Sequence, residues 1–293
     1  MSFSWLDRNI KWVYTLPAVL FVLIMMVFPI IYTFRISFYE WSMSAVTPPL
    51  WVGFDNYWAL LTDVRFWKSV SNTFYFTIVA LFIEVILGVA IALLFSRKFR
   101  GKNAIKTLFM LPMVATPVAM GLVWMLIYEP TIGVANSIIK SLGFKPLLWL
   151  ASKSEVIPSL ILIDVWQWTP LIALIVMAGL TTLPSEPYEA ADVDGASAWR
   201  KFISITLPLL RPTIIVAAML RLIDVLKTFD IIYATTQGGP GFASETLNIY
   251  GYVLAFQYFK LGMASALLVI FFMIVMGLTL IMIWLRKRVG EGS

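Results

Sequence analysis

The sequence predicts an all-α, polytopic membrane fold of about six transmembrane helices, and three observations predict it. Of the 293 residues 60% are hydrophobic and 13% are charged, with a mean hydropathy of +0.88, whereas a water-soluble domain carries about 25% charged residues. The apolar residues form long runs rather than one helical stripe or alternate strand positions, so the solvent they answer to is hydrocarbon. The basic residues gather at the ends of those runs, where a bilayer protein needs them for orientation.

Crossing about 30 Å of hydrocarbon takes roughly 20 mostly apolar helical residues. Six stretches qualify, at 12–34, 72–95, 107–128, 158–180, 212–235 and 262–285, within a single transmembrane domain over 1–293. The first is too long for the apolar part of a cleavable leader and lacks a small-residue cleavage site after it, so it is expected to stay as a helix. Between the second and third lie Arg97, Lys98, Arg100, Lys102 and Lys106. Arg200, Lys201 and Arg211 follow the fourth, Arg286, Lys287 and Arg288 follow the sixth, and Arg8 and Lys11 precede the first. Those regions share one side, and the preference for cytoplasmic positive charge puts both termini in the cytoplasm. The outward loop 37–71 carries Trp41, Trp51, Tyr57, Trp58 and Trp67, rings suited to the membrane interface.

Cysteine and histidine are both absent, which removes disulfides, thiolate nucleophiles, histidine bases and the commonest transition-metal ligands. No catalytic residue, metal site or cofactor is therefore expected on this chain, and a membrane enzyme is disfavoured. The net charge of +6 serves topology rather than nucleic acid.

The fourth connection, 182–212, reads as helix, turn, helix. Ser185 is a plausible N-cap, Pro187 suits a first turn, and Glu186 and Glu189 complement the positive end of a helix that should run to about Asp194. Gly195 supplies a permissive turn. Trp199 to Leu207 then reads as a second, amphipathic helix ending at Pro208. Small Ala190 and Ala191 leave one face low enough to enter a groove on another protein, and Glu189 can anchor it.

Glu189-Ala190-Ala191, Gly195, Ile205 and Leu207-Pro208, at these spacings, resemble the EAA loop of binding-protein-dependent ABC importer permeases. Phe54-Asp-Asn-Tyr57, Gly133-Val-Ala-Asn136, the run from Asp164 to Pro170, and Thr236-Gln-Gly-Gly-Pro-Gly241 extend the resemblance across the chain, toward carbohydrate-uptake permeases of the maltose type and the first of their two nonidentical subunits. Set against the maltose permease, the resemblance implies a shorter permease, expected to be without extra N-terminal spans or a large inserted outer domain. The resemblance implies that Glu189, Ala190, Ala191, Asp194, Gly195, Ile205, Leu207 and Pro208 couple to a cytoplasmic ATPase. It implies as partners a second homologous permease, two cytoplasmic ATP-binding subunits that hold ATP and Mg, and an extracytoplasmic solute-binding protein. The setting it implies is a prokaryotic inner membrane, and the cargo a sugar, polyol or related solute. The chain has no phosphate-binding Gly-x-x-x-x-Gly-Lys-Ser/Thr loop of its own, as that division of labour requires.

An unpaired charge in hydrocarbon costs at least about 2.5 to 3.5 kcal/mol, so intramembrane charges face a bundle interior or a wet path. The fifth span holds Arg221, Asp224, Lys227 and Asp230, three residues apart with alternating sign, so neighbours are expected to pair along the helix. Two roles fit them: lining a solute route, or bracing helices as ion pairs. Glu84, Asp164 and Gln167 carry the same two roles. Trp166 and Trp168 suit either packing or the C–H face of a sugar. Gln237, Gly238, Gly239, Pro240 and Gly241 form an outer turn, read as a connector or as a surface for the receptor protein. A secondary transporter using Asp224, Asp230 or Glu84 to bind a proton or sodium is the competing function.

Overall fold

A computed structural model describes residues 3–42 and 47–290. Among the described residues five helices are long and apolar enough to cross a membrane, or six if one sharply bent pair counts as a span. The chain divides into two compact units, Met1–Asp63 with Gly251–Phe272, and Val64–Tyr250 with Met273–Ser293.

In the first unit α1 (Phe3–Ile36) carries the most hydrophobic stretch near the N-terminus, and none of that window is buried within the chain. Such a surface belongs in lipid or against another subunit. A two-residue hairpin follows, β1 (Tyr39–Glu40) against β2 (Leu50–Trp51), with Tyr39 opposite Trp51. It is locked to α2 (Asp55–Thr62) by Asn56, whose Nδ2 donates to the carbonyls of Ser37 and Tyr39 at 2.9 Å each, and by Tyr57 OH against Ser37 Oγ at 2.6 Å. Phe38 stacks on Trp51 at 5.6 Å. Gly262, in the first turn of α13 (Leu261–Gly290), is obligatory, because a Cβ there would sit 1.8 Å from the Tyr39 carbonyl oxygen.

The second unit is built on α3 (Val64–Ser96), α7 (Val156–Thr181) and α10 (Leu207–Leu226). Val89 and Ala92 of α3, Ile172 and Val176 of α7, and Leu210 and Ala217 of α10 form its buried apolar cluster. Glycine brings the backbones close: a Cβ on Gly88 would meet Ile172 at 2.6 Å and one on Gly179 would meet Thr213 at 2.7 Å.

Three expectations are corrected. The span predicted at 107–128 is two helices, α4 (Lys102–Val114) and α5 (Pro117–Ile127), bent by 102°. Ala115 and Thr116 are extended, as a residue before proline prefers. The second span starts eight residues before its predicted position, at Val64, because Trp67 and its neighbours continue the helix instead of ending a loop. The fifth span, predicted at 212–235, stops at Leu226, and α11 (Asp230–Thr235) begins after a break at 227–229. Short helices α6 (Val134–Ser141), α8 (Glu186–Val193), α9 (Ala198–Lys201) and α12 (Leu247–Tyr252) occupy the connections.

Candidate functional site

Arg221, on α10, is 1% exposed. Its Nε donates to Glu84 Oε2 of α3 at 2.8 Å and its Nη2 to Glu84 Oε1 at 3.0 Å, while Nη2 also donates to Asp164 Oδ2 of α7. Both acids are buried. The Trp168 ring lies 5.1 Å from the guanidinium carbon. A desolvated guanidinium survives only when paired and hydrogen-bonded, and here three helices contribute the partners. The expected pairing along one helix therefore fails for Arg221: carboxylates reach it from its neighbours.

Beside this triad lies a cavity of about 290 Å³ lined by Pro117, Asp164, Gln167, Trp168, Arg221, Asp224, Lys227, Thr228, Phe229, Asp230 and Ile231. Asp224 and Lys227 are more than half exposed and meet only at 3.9 Å, and Asp230 is exposed at the start of α11. The broken backbone at 227–229 belongs at such a place, since irregular backbone at membrane depth is tolerated where it lines a wet cavity. Gln167 is fully buried, and its Nε2 donates to the Ala115 carbonyl at the α4–α5 bend at 3.1 Å. Its Oε1 is buried with no hydrogen-bond partner among the described residues, on a residue that lines the cavity.

The structure brings Glu84, Asp164, Gln167, Arg221, Asp224, Lys227 and Asp230 into one neighbourhood. It does not bring Trp166 there. Trp166 packs edge-on to Trp124 at 5.5 Å and lines an apolar cavity of about 590 Å³, because two residues along a helix turn a side chain to the opposite face. Pro117, Thr228, Phe229 and Ile231 were missed by sequence reasoning. Thr228 carried a signal, lying one turn beyond Asp224.

The helix, turn and helix expected over 182–212 are present, with changes. Ser185 stands at the N-cap of α8 with right-handed backbone angles and makes no side-chain capping hydrogen bond; at the start of α9, Ser197 Oγ accepts from Arg200 N at 3.3 Å. The C-terminal end of α8 is a Schellman motif: Ala196 N donates to Ala191 O at 2.9 Å and Gly195 N to Asp192 O at 3.1 Å, with Gly195 at φ +67°. Glu189, Ala190 and Asp194 are exposed and Ala191 is half-buried. Tyr188 OH donates to Thr206 Oγ1 at 3.0 Å, and Lys201 Nζ to Asp192 Oδ1 at 2.5 Å, tying α8 to the helix that follows.

That following helix does not end at Pro208. A π-helical turn, Phe202–Thr206, leads straight into α10, with Ile205 and Leu207 half-buried and Pro208 exposed. Leu207 N bonds back to Phe202 O. The wider turn relieves the proline ring of the carbonyl clash that would break an ordinary helix.

At the other end, Gln237, Gly238 and Gly241 have φ of +49°, +91° and +57°, and the Gly239–Pro240 peptide is cis. Ser244 Oγ donates to Gly239 O at 2.6 Å. Buried Glu245 accepts from Arg65 Nε at 2.7 Å and Nη2 at 2.6 Å, and Asn72 Nδ2 donates to Glu245 O at 3.0 Å. The guanidinium of Arg65 also covers the Phe242 ring at 3.9 Å. Thus the turn at 237–241 is held to α3 by contacts that the sequence does not announce; only Glu245, a lone acid far along the chain from any basic residue, signalled one.

A family described as the binding-protein-dependent transport system inner membrane component matches residues 84–291. A probable ABC transporter permease protein of Sinorhizobium fredii is 37% identical, over 92% of this chain and 88% of its own. A trehalose/maltose transport system permease protein of Thermococcus litoralis is 34% identical, over 94% and 92%. A sulfoquinovosyl glycerol transport system permease protein of Agrobacterium fabrum is 34% identical, over 93% and 89%. In architecture the chain is similar to one from a crystal structure of a bacterial ABC transporter that imports alginate, with TM-score 0.85, 22% identity and 98% of each chain covered.

Proposed function

The chain belongs to the family of binding-protein-dependent transport system inner membrane components, an ABC importer permease without catalysis of its own, and from that premise we propose that it conducts a small carbohydrate past the Arg221 triad. The observation that carries this reading is a matter of connectivity. Exposed α8 hangs between α7 and α10, and those two helices bring Asp164, Gln167, Trp168, Arg221 and Asp224 to the polar cavity. Motion delivered to α8 is thereby delivered to both walls.

The cargo reading rests on chemistry and kinship. A free amide oxygen, carboxylates, a lysine and an indole face offer donors, acceptors and a flat apolar surface, the set that a hydroxyl-rich ring uses. The relatives from Thermococcus litoralis and Agrobacterium fabrum are named for trehalose, maltose and a sulfoquinovosyl glycerol. Glu189, Ala190, Ala191, Asp194 and Gly195 form the handle that two cytoplasmic ATP-binding subunits, with ATP and Mg, would grip, while Ile205, Leu207 and Pro208 join it to α10. A second, homologous permease completes the path as partner of this first subunit. The turn of Gln237, Gly238, Gly239, Pro240 and Gly241 faces the extracytoplasmic binding protein. Both termini and α8 lie on the cytoplasmic side of a prokaryotic inner membrane, by the distribution of Lys and Arg.

Reconstitution tests the reading. Uptake in proteoliposomes is expected to require the second permease, the binding protein, the ATPase and ATP. Gradient-driven uptake by this chain alone would return the function to a secondary transporter. Because the chain has no cysteine, a cysteine placed at Tyr188 reports the side of α8; labelling from outside the cell would remove the coupling assignment.

A further inference from the structure

A groove of about 930 Å³ runs along the loop-proximal half of α3, walled by Val85, Val89 and Leu93 on one side and by Phe202, Leu207 and Ile214 on the other. Its floor is apolar and one end is basic. Arg97 and Lys201 close it, beside Tyr188 of α8 and Trp199 of α9. From this geometry we infer that the groove holds one acyl chain of an anionic phospholipid, with the headgroup phosphate on Arg97.

Length argues for a lipid rather than a helix. Val85 to Arg97 spans twelve helical steps, about 18 Å at 1.5 Å each, close to one leaflet of a roughly 30 Å hydrocarbon core. A transmembrane helix of a partner would need a seat through both leaflets; an acyl chain needs one. The basic end sits where that chain's headgroup would lie. Arg97 is exposed and no acid pairs with it among the described residues, and a guanidinium takes a phosphate bidentately. Lys201 is engaged by Asp192 of α8 at 2.5 Å, so it contributes as a shared cation, and Asp192 faces the headgroup across it. Lys98 and Arg100 follow Arg97 in the chain, outside the groove lining, and add to the positive field that attracts anionic lipid.

The position gives the lipid a consequence. Its headgroup would sit against Tyr188, Trp199 and Phe202, the residues that join α8 to α10, so occupancy would stiffen the connection. The site stands apart from the solute cavity and does not depend on what the solute is.

Native mass spectrometry of the full chain, delipidated in detergent and titrated with phosphatidylglycerol or phosphatidylcholine, tests the inference. One phosphatidylglycerol is expected to remain bound, at least about tenfold tighter than phosphatidylcholine. Arg97→Glu should abolish that preference, Arg100→Glu should keep it, and Ala90→Trp, which fills the groove from α3, should exclude both lipids while the chain elutes as a single peak. Inorganic phosphate at millimolar concentration should leave the bound lipid in place. Equal affinity for the two lipids, unchanged binding by Arg97→Glu, or displacement by free phosphate would overturn the proposal. So would a photocrosslinker at position 90 that captures the partner permease in the assembled importer instead of lipid.

Discussion

Arg221 and Glu84, 137 residues apart in the chain, form a two-pronged ion pair at 2.8 and 3.0 Å with side-chain exposures of 2% and 0%. Taking away one partner of a buried pair leaves an uncompensated charge, which costs about 3–5 kcal/mol. Arg221→Met is therefore expected to lower the thermal midpoint in detergent sharply, because Glu84 and Asp164 lose their common partner. The triple variant Glu84→Met, Asp164→Leu, Arg221→Met should recover stability, since apolar replacements can equal or exceed a buried ion group, yet remain unable to transport. A single Arg221→Met variant with an unchanged midpoint would show that the triad holds nothing together.

Glu189 is exposed and makes no ion pair among the described residues, so its charge is free for a partner. Glu189→Lys is expected to insert and fold normally, lose uptake and co-purify poorly with the ATPase; full co-purification and uptake would contradict the handle. Gly195 offers a sharper series. A Cβ there meets nothing within 4 Å, but φ is +67°, so cost follows backbone preference alone, about 1–2 kcal/mol for an ordinary residue. Asparagine tolerates this region and valine does not. ATP-dependent uptake should fall in the order Gly195→Asn, Gly195→Ala, Gly195→Val, and an equal response to all three would remove the turn argument.

Legibility in the sequence followed the kind of physics involved. Apolar runs are local, and five of the six spans read from them correspond to helices. The Gly195 turn was legible because a glycine just past a helical stretch supplies the left-handed turn at little cost. Breaks within spans were harder: Thr116-Pro117 signalled the 102° bend, but the apolar run continued across it. Helix partners were not legible at all. Glu84 and Asp164 read as lone acids and Arg221 as paired along its own helix, because the meeting of the three depends on α3, α7 and α10 packing together. The motifs Phe54–Tyr57 and Gly133–Asn136 drew notice only by resemblance, and the structure gives each a local task. Asn56 binds the hairpin carbonyls, while Asn136 Oδ1 accepts from Leu147 N at 3.0 Å and Trp149 Nε1 at 2.9 Å.

The pinned turn at 237–241 predicts a loosening experiment. Glu245→Gln removes the charge that Arg65 holds at 2.6 and 2.7 Å, and charge-assisted bonds of this kind are about twice as strong as neutral ones. Amide exchange at Gly239 and Ser244 should accelerate severalfold, and stimulation of the ATPase by the binding protein should fall while basal hydrolysis stays. Unchanged exchange would show that the turn stands without α3.

Glu129 sets a pH dependence outside the spans. Its Oε2 accepts from Ile132 N at 2.6 Å, Thr131 Oγ1 at 2.7 Å and Thr131 N at 2.8 Å. The Ile132 amide first, then the Thr131 hydroxyl, hold its carboxyl below the usual range. A depressed folded-state value means the contribution is present above the unfolded pKa and is lost as pH falls through the folded one. Amide exchange at Thr131 and Ile132, corrected for intrinsic rates, should rise on acidification below about pH 4, and Glu129→Gln should flatten that rise. A flat wild-type profile would contradict the assignment.

Gln167 and Trp166 separate the two faces of α7. Gln167 carries the unsatisfied Oε1 beside the polar cavity, while Trp166 packs on Trp124 away from it. A solute hydroxyl donating to that oxygen contributes about 0.5–1.5 kcal/mol, since a neutral hydrogen bond replaces one to water. Gln167→Met, which keeps length and removes the acceptor, should raise the half-saturating solute concentration several-fold with little change in basal ATP hydrolysis. Trp166→Leu should leave that concentration alone and lower only thermal stability, because its ring is packing. The decisive measurement is the ratio of the two effects on uptake by the reconstituted importer. If Trp166→Leu weakened solute dependence as much as Gln167→Met, the path would have to run on the other side of α7, and the cavity beside Arg221 would be a structural void.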